Sequence, residues 1–162
     1  MSTNTTFSPL HKAGDAPWSS SPRARTCTAN RERTSAFALE PVETDYIYAV
    51  DDEPWLTHLY TVILCRRGYN VRAFNHRAEA LAALKGERKK PDLLILDYSG
   101  HAMPAETFMQ GCLQAHPALR ILMASGFHEL DAHLSSVRPD RFLQKPFTAE
   151  TFLREVQAAL GA

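Results

Sequence analysis

Pro91-Asp92-Leu93-Leu94-Ile95-Leu96-Asp97 holds four aliphatic residues in a row and ends on a carboxylate. Such a run does not alternate between apolar and polar positions. It reads as a strand buried on both faces, as in a parallel sheet covered by helices. Asp97 then sits where the strand leaves the sheet. Val50-Asp51-Asp52, Met123-Ala124-Ser125 and Gln144-Lys145-Pro146 also close apolar, strand-like runs. If these strands lie parallel, all four endings meet at one edge of one sheet, the edge where open α/β sheets bind ligands.

Around this core, Tyr46-Ile47-Tyr48-Ala49-Val50 reads as a strand and leads into Asp51-Asp52-Glu53-Pro54. A proline in a first helical turn and acids near the helix dipole predict a helix from there to about Arg67, with Leu56, Leu59, Tyr60, Ile63 and Leu64 on its core face. Gly68 stops it. Tyr69 to Phe74 predicts a second strand, at an edge of the sheet. Asn75 is expected to cap a helix carrying Ala78, Leu81, Ala82 and Leu84. Phe108, Met109 and Cys112 line a third helix. Ala118 to Ser125 supplies the fourth strand with its lead-in, and Leu130, Leu134 and Val137 give a weak helix. Arg141 to Lys145 forms a short fifth strand. Thr148 caps a last helix whose core face is Phe152, Val156 and Leu160, with Phe147 stapled to Phe152. Five strand–helix units at this spacing give an α/β fold: a doubly wound, five-stranded parallel sheet of the flavodoxin-like (βα)5 kind, spanning 45–162.

Residues 1–44 are rich in Ser, Thr, Pro and Arg and carry no sustained period, so they read as a disordered N-terminal extension. Its cluster of Arg23, Arg25, Arg31 and Arg33 reads as a solvated tail. The formal net charge of +0 gives no basic field for direct binding of nucleic acid. No apolar run approaches a membrane span, and the N-terminus lacks the apolar core of a secretory signal. Cys27, Cys65 and Cys112 have no metal or redox spacing and read as reduced thiols of a cytoplasmic protein.

Asp51, Asp52 and Asp97 form the chemical constellation. Three carboxylates at adjacent strand ends repel one another unless a cation lies among them. Hard oxygen ligands with room for water suit Mg²⁺. With the amine of Lys145 and the hydroxyl of Ser125 added, the group becomes a receptor for a phosphoryl group. A carboxylate in it can act as nucleophile and form an aspartyl phosphate.

Val-Asp-Asp-Glu-Pro at 50–54, Leu-Asp at 96–97, Ala-Ser-Gly at 124–126 and Lys-Pro-Phe at 145–147, in this order and each at a strand end, resemble the receiver domain of response regulators in two-component signalling. The resemblance covers about Asp45 to Ala162. It implies that Asp97 takes a phosphoryl group from a histidine kinase or histidine phosphotransfer protein. It implies Asp52 and Asp97 as Mg²⁺ ligands, the backbone carbonyl of Ser99 as a third, and Asp51 as a ligand through water. Ser125 and Lys145 would hold the phosphoryl oxygens, and Phe142 takes the family's switch position. One stretch departs from the pattern. Gly100 and His101 stand three and four residues after Asp97, where the family usually has Met or Leu and then Pro. Met-Pro comes later, at 103–104, so either the loop is longer or its sequence differs at constant length; Phe108, Met109 and Cys112 fall at the expected helix positions, which favours the second. Gly100 would loosen it. Phe127, two residues after Ser125, would shield the phosphoryl group from water.

The expectation is a stand-alone receiver that promotes only its own phosphoryl transfer and dephosphorylation and is not otherwise an enzyme. Its output would pass to a downstream protein partner through the face of the helix after Ser125, the last strand and the last helix, a face that could also form a homodimer. The alternative is a degenerate pseudo-receiver, an interaction module that is never phosphorylated. An Asp-nucleophile phosphohydrolase ranks below both, because Ser99 occupies the place where such enzymes carry a second Asp.

Overall fold

The computed structural model describes residues 25–27, 44–99, 102–126, 134 and 136–161. Among the described residues these elements follow one another: β1 (Arg25–Cys27), β2 (Tyr46–Val50), α1 (Pro54–Arg66), β3 (Asn70–Phe74), α2 (Arg77–Gly86), β4 (Leu93–Asp97), α3 (Ala105–Ala115), β5 (Arg120–Ser125), β6 (Arg141–Gln144) and α4 (Ala149–Leu160). The sheet order is β1-β3-β2-β4-β5-β6. The five strands from β2 to β6 pair in parallel, which is the expected doubly wound α/β sheet. The chain steps from β2 to β3 on one side and then to β4 on the other, so the switch in winding direction falls between β2 and β4.

The strands are buried on both faces because their side chains alternate between two apolar layers. Tyr46, Tyr48, Val50, Leu94 and Leu96 face α2 and α3, where they meet Leu84, Phe108, Met109 and Cys112. Ile47, Ala49, Leu93 and Ile95 face α1 and α4, where they meet Tyr60, Leu64, Phe152 and Val156. Full burial of each such aliphatic side chain is worth about 1.5–3 kcal/mol.

Several local expectations hold. Thr148 caps α4 by accepting from the Thr151 N–H at 3.1 Å, and the Phe147 and Phe152 rings stack with centroids 5.6 Å apart. Others are corrected. The edge expected at β3 is covered: β1 pairs with it antiparallel, Arg25 opposite Ala73 and Cys27 opposite Val71. Three residues of the stretch expected to lack structure thus form a strand, which among the described residues adds an antiparallel edge to the five expected parallel strands. Their pairing is a backbone matter, so side-chain periodicity gave no sign of it. Leu59, expected on the core face of α1, is 41% exposed; Thr57, Tyr60 and Leu64 are buried there, and Leu56 and Ile63 pack against the same core as expected. On α2 the buried residues are Arg77, Ala80 and Leu84, while Ala78 and Ala82 face outward. Alanine carries too little apolar area to fix which way a helix turns. Asn75 caps nothing; its amide donates to the Asp51 carbonyl at 2.9 Å and to Thr57 Oγ1 at 3.2 Å. The three thiols are not all reduced: Cys65 is disulfide-bonded, and Cys112 is free and buried. Sequence spacing does not report the spatial approach a disulfide requires.

Gly100, His101, Phe127, Leu130, Arg23, Arg31 and Arg33 lie outside the described residues; of the weak helix expected after Ser125, Leu134 and Val137 are described and neither is helical, with Leu134 buried and Val137 packed against the α2/α3 layer. Among the described residues no helix is long and apolar enough to cross a membrane.

Candidate functional site

The carboxyl ends of β2 and β4, on either side of the switch in winding, deliver the acids. Asp51 follows the last residue of β2 and Asp97 is the last residue of β4. Parallel pairing in register, Val50 beside Leu96, puts both side chains at the same rim. Asp51 and Asp97 are buried, at 1% and 5% exposure, and Asp52 is exposed beside them. One carboxylate oxygen from each lies within 4.8 Å of the others.

Lys145 arrives from the end of β6, two strands away. Its main-chain N–H donates to the Ser125 carbonyl at 2.7 Å, and its peptide bond to Pro146 is cis. Its ammonium donates to Asp97 Oδ1 at 2.7 Å and to Asp51 Oδ2 at 3.0 Å. Burial works against the charge on Lys145, yet the hydrogen bonds and charges of Asp97 and Asp51 outweigh it and hold the amine above its usual range.

Asp51 is fixed from several sides. The Glu53 N–H donates to Oδ1 at 3.0 Å, and the Tyr60 hydroxyl approaches Oδ2 at 3.4 Å. Burial nonetheless raises its carboxyl above the ordinary range, more than the Glu53 N–H and Lys145 lower it, and Asp97 adds to the rise. Tyr60 in turn is raised by its own burial and by Asp51. Asp97 is held by Lys145 and by the Ser99 N–H, which donates to Oδ2 at 2.9 Å.

Ser125 is wholly buried at the end of β5, next to β4. Ser99 is exposed in the loop after β4. Phe142 is 36% exposed on β6, apart from the acid cluster, in register with Met123. The structure therefore brings Asp51, Asp52, Asp97 and Lys145 to one spot and places Ser125 on the adjoining strand end. Trp55, in the first turn of α1, is 61% exposed and donates through its indole N–H to Glu53.

Sequence reading overlooked Arg77. This residue opens α2 and is 2% exposed. Its guanidinium donates to the main-chain carbonyls of Asp97 and Met103, and to that of Tyr98 at 2.9 Å. Burial lowers its pKa, opposed by the charges of Asp97, Asp52 and Asp51. An arginine in an apparent surface helix gives little warning in sequence, because arginine is almost never fully buried unless paired.

The donor set fits a hard divalent cation. Oxygen ligands converge, two of the three acids are buried, and their mutual repulsion is only partly offset by Lys145. Mg²⁺ is compatible with this cluster. An anion also finds a hydroxyl and an ammonium on neighbouring strand ends.

A family model for the response regulator receiver domain matches residues 47–157. The DNA-binding transcriptional regulator NtrC of Escherichia coli K12 is 28% identical over 117 residues, covering 71% of this chain and 24% of NtrC. The nitrogen assimilation regulatory protein NtrX of Azorhizobium caulinodans is 28% identical over 118 residues, covering 70% of this chain and 26% of NtrX. The chain thus spans about a quarter of the length of these relatives. Among solved structures, a CheY-like receiver domain protein of Methanospirillum hungatei JF-1 superposes with a TM-score of 0.67 at 21% identity, covering 74% of this chain and 95% of that one, which is a likeness of fold. The chemotaxis protein CheY4 of Vibrio cholerae gives 0.65 at 26% identity, covering 72% and 98%. With the family's motifs at four strand ends of the family's sheet, the chain belongs to the response regulator receiver domain family.

Proposed function

We propose that this chain is a phosphoacceptor module of a two-component or phosphorelay system, phosphorylated on Asp97 in a Mg²⁺-dependent reaction. The observation that carries the reading is the bridge of Lys145 between Asp97 and Asp51, at 2.7 and 3.0 Å, inside the three-acid cluster. An oxygen of Asp97 attacks phosphorus, and the bond from phosphorus to the donor's histidine nitrogen, or to the acetate oxygen of acetyl phosphate, breaks. The leaving group departs with the electron pair. Lys145 pairs with a phosphoryl oxygen, and the Ser125 hydroxyl donates to another. Asp52, Asp97 and the Ser99 carbonyl would hold Mg²⁺ directly, with Asp51 doing so through water; the ion supplies neutralisation of charge on the transferring oxygens.

The phosphodonor would be a histidine kinase or histidine phosphotransfer protein, and the compartment the cytoplasm, where the Cys65 disulfide would face reducing thiols. Output would pass to a protein partner across β6 and α4, where Phe142 is exposed and can turn inward as a switch. The same face could pair two copies of the chain.

Incubation with Mg²⁺ and acetyl phosphate, followed by intact-mass measurement, tests the reading. Wild type is expected to gain one phosphoryl group, and Asp97→Asn and metal-depleted protein none. A wild type that binds Mg²⁺ yet gains nothing would favour the pseudo-receiver, which the unusual Gly100-His101 pair also suggests.

A further inference from the structure

We propose that Arg77 is a positioning residue that holds the loop after Asp97 in the shape required for divalent-cation binding, an inference that rests on the receiver reading above. Its contacts fall at both ends of the loop. The carbonyls of Asp97 and Tyr98 mark the entry, and the carbonyl of Met103 marks the exit to α3. Ser99, whose carbonyl is the expected third protein ligand, lies between these fixed points. The family's usual Met or Leu and Pro would limit this loop by their bulk and fixed φ. Here three main-chain oxygens are gathered instead by one planar guanidinium.

The guanidinium of Arg77 is held out of water. Burying a charge is costly even after relaxation. Arg77 is 2% exposed, and its Nε has no hydrogen-bond partner. A residue serving only to join α2 to the loop could do so with a neutral amide, whose burial costs far less. A guanidinium offers what an amide does not: five donors in a fixed fork, which match carbonyls that diverge from one centre. Lysine keeps the charge but lacks the fork.

The experiment compares wild type, Arg77→Lys and Arg77→Met, with Arg77→Ala for chemical rescue. Thermal melts first establish which variants fold. Mg²⁺ affinity is then titrated by Trp fluorescence, and amide hydrogen exchange across Tyr98 to Met103 is followed without metal. Both variants are expected to bind Mg²⁺ about tenfold or more weakly, the range seen when partners supporting metal ligands are lost. Exchange in the loop should quicken while β4 itself stays protected. In Arg77→Ala, millimolar guanidinium chloride is expected to restore affinity, and methylammonium chloride is not. Wild-type Mg²⁺ affinity in folded Arg77→Lys would overturn the proposal, and that variant is informative even if Arg77→Met does not fold. A wild type that itself fails to bind Mg²⁺ would instead overturn the receiver reading.

Discussion

The two faces of the sheet are alike in apolar content and unlike at the rim. On the α1/α4 side, Tyr60, Phe147 and Phe152 stack, with Tyr60 to Phe152 centroids 5.0 Å apart. The phenol at the top of that stack approaches Asp51. On the α2/α3 side, the packing is Leu84, Phe108, Met109 and Cys112, and the group that reaches the site is the guanidinium of Arg77. One layer supports an acid through a neutral hydroxyl, and the other shapes a loop through a cation. The difference teaches that this rim is assembled by both helical layers, each contributing one polar side chain from an otherwise apolar face.

The largest test of this comparison is deletion of one ring from each layer. Phe152→Ala and Phe108→Ala both remove a fully buried phenyl, and each is expected to cost about 3–5 kcal/mol in chemical denaturation. A much smaller loss for Phe108→Ala would mean that the α2/α3 layer repacks and the faces are not equivalent.

Next comes the balance of charge between them. The Asp51 carboxyl is raised by burial, so its ionisation opposes folding. Stability linked to it is complete below the unfolded value of about 3.9 and declines as pH rises through the higher folded value. Asp51→Asn lacks that decline. In EDTA at pH 7 it is expected to melt above wild type, with the gap closing as the pH falls below about 4. Mg²⁺ at a hundredfold excess over Kd should then stabilise wild type by about 2.7 kcal/mol and the variant by less. A variant melting below wild type at pH 7 would show that pairing with Lys145 outweighs burial. The smallest effect belongs to Tyr60→Phe, which deletes a 3.4 Å contact. A loss of about 1 kcal/mol or less is expected, and a larger one would make the phenol a principal support of Asp51.

What the sequence revealed follows from where side-chain chemistry is concentrated. Leu93 to Asp97 and Tyr46 to Asp52 were legible because unbroken apolar runs ending in acids have few other readings, and both strands end at the site. The convergence of Lys145 on Asp97 followed once the strands were taken as parallel. Helix faces were less legible. Ala78 and Ala82 suggested one orientation for α2, and the structure adopts another that buries Arg77, because sequence reading sends arginine to the surface. β1 was illegible because Arg25-Thr26-Cys27 has no pattern, and its partner was an outer strand with free main-chain groups.

That small strand also bears on how molecules of this kind keep apart. With β1 in place, the sheet's outermost strands among the described residues are three residues long on one side and four on the other. A short margin offers a neighbouring chain few consecutive amides to grip, so end-to-end growth of the sheet from molecule to molecule finds little to build on.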